Sequence, residues 1–188
     1  MPILRAEPAL FPEGLFKEGP APAQAGRAWW ALHVKPRQEK SLSRQLCDRR
    51  LTFYLPLVSR RSVLRGRVFT AHIPLFPGYL FLLADAGERL QAQATGRVVQ
   101  ALAVPDQARL WSDLRQLHRL ILTGAPLTPE ERLAPGMVVE VTTGALAGLR
   151  GKILRAASGR RFVVEIDFLQ RGASVLLDDF ALTEVKSA

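Results

Sequence analysis

The stretch Pro74-Leu75-Phe76-Pro77-Gly78-Tyr79-Leu80-Phe81-Leu82-Leu83 decides how this chain reads. Two prolines and a glycine punctuate its entry and predict a turn. The apolar run behind them predicts a strand. Side chains alternate along a strand, so Tyr79, Phe81 and Leu83 point one way and Leu80 and Leu82 the other. The strand is thus apolar on both faces, which suits either a doubly covered core position or one face offered to a partner. Arg60, Arg61, Arg65 and Arg67 precede it with no acidic residue between them. An apolar strand fed by a basic hairpin suggests a small domain that docks on a protein while touching nucleic acid.

Working upstream, Trp29-Trp30-Ala31-Leu32-His33-Val34 reads as a buried strand. Pro36 suits a first helical turn, where a missing N–H costs nothing. Leu42, Leu46 and Cys47 give the apolar stripe of an amphipathic helix through about Arg50. The opposite face carries Lys35, Arg37, Lys40 and Arg44. Phe53 to Val58 predicts a second strand, and Ser62 to Phe69 a hairpin turning at Gly66. Downstream, Ala84 to Ala94 is weakly helical and Val98 to Val104 is a further strand. Asp106 is placed to cap a helix with Leu110, Leu114, Leu117 and Ile121 on one face, ended by Gly124. These elements predict an α/β sandwich with a mainly antiparallel sheet over residues 28–123.

Residues 1–27 hold five prolines and three glycines, a composition expected of a mostly disordered tail. Residues 124–134, with Pro126 and Pro129 and no periodicity, read as a linker. From Pro135 to the end the pattern changes to short strands: Met137–Val141, Arg150–Leu154, Arg161–Ile166, Ser174–Leu177 and Leu182–Val185. Glycines at 144, 148, 151, 159 and 172 mark the turns. Such strands predict a small closed β-barrel, which leaves no open sheet edge. The fold class is therefore α+β, a sandwich followed by a barrel.

The 188 residues carry a formal net charge of +9, a balance that favours a polyanionic partner. The excess is local: between Lys35 and Arg67 ten Lys/Arg face only Glu39 and Asp48, a net of +8. Cys47 is the sole cysteine, which leaves no disulfide framework and suits a reducing cytosol. His33, His72 and His118 lack metal-ligand spacing, and no cofactor is implied. No apolar run reaches the length of a membrane span, and the first residues lack a signal-peptide pattern. A soluble, cytoplasmic protein without membrane contact is expected. There is no Gly-x-Ser-x-Gly, no Gly-rich phosphate loop ending in Lys-Ser/Thr and no paired His. Asp178-Asp179 reads as a turn, since adjacent strand residues point apart. A catalytic role is not expected.

The segments Trp29–Lys35, Phe76–Phe81 and Thr95-Gly96-Arg97-Val98-Val99 resemble, in that order, the N-terminal domain of NusG-type transcription elongation factors. Pro135–Val141, Gly144–Ile153 and Ile166–Arg171 are similar to a KOW module, a small SH3-like barrel. The resemblance spans about residues 28–186. The basic hairpin ahead of Pro-Leu-Phe-Pro-Gly-Tyr-Leu-Phe looks closest to the specialised, operon-specific paralogs of the RfaH type. It implies an antitermination regulator whose N-terminal domain binds the clamp helices of the RNA polymerase largest subunit through Tyr79 and Phe81, a surface that Phe76 and Tyr54 extend. It implies contact with the non-template DNA strand through Lys35, Arg37, Lys40, Arg44 and Arg97. It further implies that Phe168, Leu169 and Arg171 meet a ribosomal protein or the termination factor Rho. Two departures stand out. Pro36, Ser41 and Gln45 occupy positions that are basic in the specialised paralogs. Glu88-Arg89-Leu90-Gln91 stands where those paralogs carry a His-Thr-Thr-Thr run for the polymerase gate loop. A general housekeeping factor and an RNA- or ribosome-binding KOW protein without polymerase contact are the alternative readings.

Overall fold

The fold is given by a computed structural model, which describes residues 7–17, 26–64, 66–130, 137–144, 146–156, 159–176 and 182–184. The expectations for Arg65, Leu177, Asp178, Asp179 and Val185 lie outside these residues. The chain divides into two compact units, Met1–Gln107 and Ala108–Ala188.

The first unit is built on an antiparallel five-stranded sheet of β1 (Leu10–Phe11), β3 (Thr52–Tyr54), β6 (Tyr79–Ala84), β2 (Ala28–Val34) and β7 (Val98–Ala103), in that spatial order. In β2 and β6, directly opposed pairs share a face: Leu32 with Leu80 and Trp30 with Leu82 on one side, Ala31 with Phe81 and His33 with Tyr79 on the other. The first side carries the main core. Leu32, Val34, Leu80, Leu82 and Phe53 bury there with Leu42 and Leu46 of helix α1 (Glu39–Asp48) and Ala92 of helix α2 (Ala86–Gln93). Phe81, Leu83 and Trp29 on the second side are buried as well.

Helix α1 starts at Glu39, three residues after the proline expected to open it. Arg37 adopts a left-handed backbone, φ 62°, which no helical turn accommodates. Helix α2 starts on a capping box: Asp85 Oδ1 accepts from Glu88 N–H at 2.8 Å, and Glu88 Oε2 accepts from Asp85 N–H at 3.0 Å. Arg27 then ties β2, β3, β6 and α2 together. Its Nε and Nη2 reach the Glu88 carboxylate at 2.9 and 3.0 Å, and Nη2 also donates to Leu83 O and Thr52 Oγ1.

Two expectations change in this unit. The tail is not without structure: Leu10 and Phe11 add β1 to the β3 edge. The strand expected over Phe53–Val58 breaks at Leu55-Pro56. The residues beyond join a longer hairpin, β4 (Leu57–Leu64) with β5 (Arg67–Pro74), a two-stranded sheet of its own. Residues 75–78 are bend and turn and β6 begins at Tyr79, as the two prolines and the glycine predict.

In the second unit, helix α3 (Gln107–Leu122) accompanies a six-stranded antiparallel sheet. Its order is β13 (Leu182–Glu184), β9 (Met137–Val141), β10 (Arg150–Ala156), β11 (Gly159–Ile166), β12 (Arg171–Leu176) and β8 (Thr128–Glu130). The linker reading thus missed a strand: Thr128 to Glu130 pair with Ser174 to Gly172. Pro129 is tolerated there because β8 ends the sheet. The sequence placed α3 with the first unit. Its polar side chains bond to β10 and to the turn before it, with Gln116 Oε1 accepting from Arg150 N–H at 2.7 Å and Arg119 Nη2 donating to Ala147 O at 2.8 Å.

Candidate functional site

The basic candidates collect where β2 leaves the sheet and α1 begins. Hydrogen bonds stitch this corner together. Val34 N–H donates to Gly78 O at 2.8 Å, and Lys35 N–H to Arg97 O at 2.9 Å. Gly78 N–H donates to the buried carboxylate of Glu39 at 2.8 Å. Gly78 sits at φ 83°, a conformation that favours glycine. The turn of the Pro-Leu-Phe-Pro-Gly signature is therefore locked to the first turn of α1. Glu39 was legible only as an acid diluting a basic run. That it would reach a residue 39 positions away was not.

Lys35 and Arg37 are exposed here, and Lys40 is half-buried. Arg97 is half-buried and held in place: its Nε donates to Ser41 Oγ at 2.8 Å and its Nη1 to Thr95 O at 3.0 Å, while Gln45, with its amide oxygen toward the guanidinium, accepts from Nη1 at 2.8 Å. Two of the residues that break the basic pattern of the specialised paralogs, Ser41 and Gln45, thus position an arginine. Arg44 is exposed on α1 and pairs with Glu7. Arg37 and Lys40 line a cleft of about 590 Å³ with His33, Pro74 and Gly78 among others, whereas Arg44, a turn further along α1, lines a separate cavity with Glu7 and Asp48. On the wall of the cleft the exposed His33 ring stacks on Tyr79, centroids 5.5 Å apart and planes at 24°. Cationic side chains beside stacked, accessible rings can neutralise phosphates and accept an unstacked base. Arg60, Arg61 and Arg67 of the hairpin are exposed too, on β4 and β5.

The apolar candidates divide. Tyr79 is half-exposed, whereas Tyr54, Phe76 and Phe81 are buried. The Tyr54 ring meets Phe16 edge-on at 4.9 Å, and burial pushes its phenol well above the ordinary tyrosine range. Of this set Tyr79 alone presents surface as the chain stands. The run Glu88-Arg89-Leu90-Gln91 is partly absorbed by the fold. Glu88 caps α2, and Arg89 lies over the Trp30 ring at 4.6 Å, which leaves Leu90 and Gln91 exposed.

In the second unit, Phe168 and Leu169 lie half-buried on a 3₁₀ turn, Asp167–Leu169, with Arg171 just beyond it. Gln170 closes the turn in a left-handed conformation, φ 51°, and its Nε2 donates to Asp167 O at 2.7 Å. Asp113 of α3 holds the turn from outside, its Oδ2 accepting from Asp167 N–H at 3.1 Å. Asp113 was legible only as one polar residue on an amphipathic helix. Burial pushes its carboxyl up to about 6. The Asp167 N–H and the Arg109 guanidinium oppose that rise, while the Asp167 and Glu165 carboxylates add to it.

The pH consequence has a definite sign. A carboxyl raised from its ordinary value near 4 to about 6 holds its proton more tightly folded than unfolded, so stability falls as pH rises from about 4 to about 6. The full swing is on the order of 2–3 kcal/mol. Asp113→Asn keeps an acceptor for Asp167 N–H but removes the titration. Chemical denaturation at a series of pH values is expected to lose this slope in the variant and to find it more stable than wild type at pH 7. An unchanged slope would assign the titration elsewhere.

Among the described residues no group of three or more His, Cys, Asp or Glu could hold a metal ion, and no helix is long and apolar enough to cross a membrane.

The family model described as "Transcription termination factor nusG" matches residues 27–119, from the first residue of the Arg27 network to the last turns of α3. Over this segment, about half of the chain, the protein is similar to the NusG family. The matched segment contains the basic corner, the turn of the signature and the hairpin. A solved structure titled "Domain interaction in Thermotoga maritima NusG" is similar at 17% identity and a TM-score of 0.46, over 80% of this chain and 93% of that one. Comparison with curated proteins finds no match.

Proposed function

We propose that the protein is a non-enzymatic transcription elongation and antitermination regulator that docks on RNA polymerase through its NusG-like segment. The observation that carries this reading is the NusG-like segment itself, with the half-exposed Tyr79 and its stacked His33 set beside Lys35, Arg37 and Lys40. An aromatic anchor next to cations suits a protein surface that borders DNA. The clamp helices of the polymerase largest subunit would meet the Tyr79 side, and the exposed non-template strand would run along the basic corner. Residues 135–188 act as a KOW module whose Phe168, Leu169 and Arg171 engage a ribosomal protein or Rho. Joining two weak contacts on one chain raises avidity through effective concentration. The arginines of the hairpin favour an operon-specific role over a general one.

The test is binding of the full chain to an isolated clamp-helix fragment of bacterial RNA polymerase. Tyr79→Ala is expected to weaken that binding about tenfold, in keeping with an aromatic anchor worth more than 1 kcal/mol, while its circular dichroism stays that of wild type. No measurable binding by the wild-type chain would overturn the reading.

A further inference from the structure

Leu10-Phe11-Pro12-Glu13-Gly14-Leu15-Phe16 echoes Leu75-Phe76-Pro77-Gly78-Tyr79-Leu80-Phe81 at five of seven positions. The two copies flank the same short strand. On one side of β3, Phe81 opposes Tyr54 and Leu82 opposes Phe53. On the other, Leu10 opposes Tyr54 and Phe11 opposes Phe53. The next bonds continue the bracket, with Leu55 N–H donating to Ala9 O at 2.6 Å and Leu75 N–H donating to Pro56 O at 2.8 Å.

The two copies are held very differently. The second continues into β6, an interior strand paired on both sides. The first pairs over two residues at the sheet edge. Beyond that, Ala9 and Phe11 pack partly buried against the main core, Phe16 meets Tyr54, and Glu7 pairs with the exposed Arg44. A cavity of about 1140 Å³, lined by Glu7, Leu10, Phe11, Arg44, Cys47 and Asp48 among others, opens between it and α1. No residue of 7–17 is fully buried, whereas Leu80 to Ala84 of β6 all are, and weakly buried edge segments open well below the cost of global unfolding. The Glu7 carboxylate meanwhile sits on the Arg44 guanidinium where a phosphate oxygen would sit.

We propose that residues 7–17 form a displaceable strap that closes the β3 edge and occupies Arg44, and that nucleic acid competes with it for the basic face of α1. The proposal rests on the nucleic-acid part of the function proposed above. Release frees Arg44 and uncovers the Tyr54 edge in one step, so the strap couples the two surfaces assigned to DNA and to polymerase.

The test measures binding of a labelled single-stranded DNA of mixed sequence across a salt series, by wild type, Glu7→Gln and a chain lacking residues 1–17. Both variants are expected to bind about two- to fivefold more tightly, the range of one exposed ion pair, and the shortened chain with a steeper salt dependence. A synthetic peptide of residues 7–17 is expected to reverse the gain of the shortened chain. In full-length wild type, added DNA is expected to speed hydrogen exchange at the Leu55 amide relative to amides shared by β2 and β6. DNA binding that is equal in all three chains, or Leu55 exchange unchanged or slowed by DNA, overturns the strap and leaves the nucleic-acid reading standing. Absence of DNA binding in wild type and shortened chain alike overturns that reading and the strap with it. If the shortened chain does not fold, Glu7→Gln and the Leu55 exchange decide.

Discussion

Gly151→Ala is expected to unfold the sheet of the second unit. Gly151 lies on β10 opposite Val139 of β9, beside the β10–β11 ladder in which Lys152 pairs with Val163. A Cβ at this position would collide with Val163 O and stand 2.8 Å from the Phe162 ring. The ring belongs to a fully buried side chain, and the carbonyl belongs to the backbone of the paired strand. Neither neighbour can withdraw without breaking the ladder or opening the core. Overpacking a core by one methyl already costs about 1–3 kcal/mol. A contact this close to backbone belongs at or above the top of that range. Thermal unfolding followed by circular dichroism, with amide spectra to separate the units, is expected to lose the resonances of β9–β12 while those of β2 and β6 persist. Retention of native β10–β11 resonances at wild-type temperature would sink the prediction.

That glycine was legible as turn punctuation, and this was the wrong reason for it. Glycines mark turns because many adopt conformations closed to other residues, as Gly78, Gly144 and Gly148 do here with positive φ. Gly151 instead lies in a strand, where its lack of a side chain admits a neighbouring backbone. The same limit recurs elsewhere. Periodicity placed β2, α1, β6, β7 and α3, since burial on one or two faces leaves a local pattern. It could not place β1 or β8, two- and three-residue strands that exist only because an edge was vacant beside them. Charge counting singled out Lys35, Arg37 and Lys40, because those cations are close in sequence, whereas Arg97 entered only through the resemblance of Thr95-Gly96-Arg97. Counting could not find Glu39 or Asp113, whose roles depend on backbone N–H groups 39 and 54 residues away. The apolar signature was read correctly as two-faced. Which of its rings face outward was not decided by alternation, because Tyr79 and Phe81 share a face and differ only in what lies over them.

Phe81→Ala separates these two roles with a large effect. Phe81 is fully buried on β6, opposite Ala31 of β2 and Tyr54 of β3, in the interior of the five-stranded sheet. Truncating a buried phenylalanine removes the transfer free energy of the ring and leaves a cavity, together costing about 3–5 kcal/mol. That is a large part of the total stability of a small domain, about 5–15 kcal/mol. Urea denaturation is expected to find the first unit of Phe81→Ala destabilised by this amount, whereas Tyr79→Ala, with its ring half-exposed, is expected to lose about 1 kcal/mol or less. The comparison bears directly on polymerase docking. Weakened clamp-helix binding by Phe81→Ala follows from a damaged fold as readily as from a lost contact. The same weakening by a folded Tyr79→Ala isolates the surface. Equal, small stability losses in the two variants would place Phe81 at an opened interface rather than in the core. Docking would then begin with uncovering that face of the sheet, the step that release of residues 7–17 starts at Tyr54.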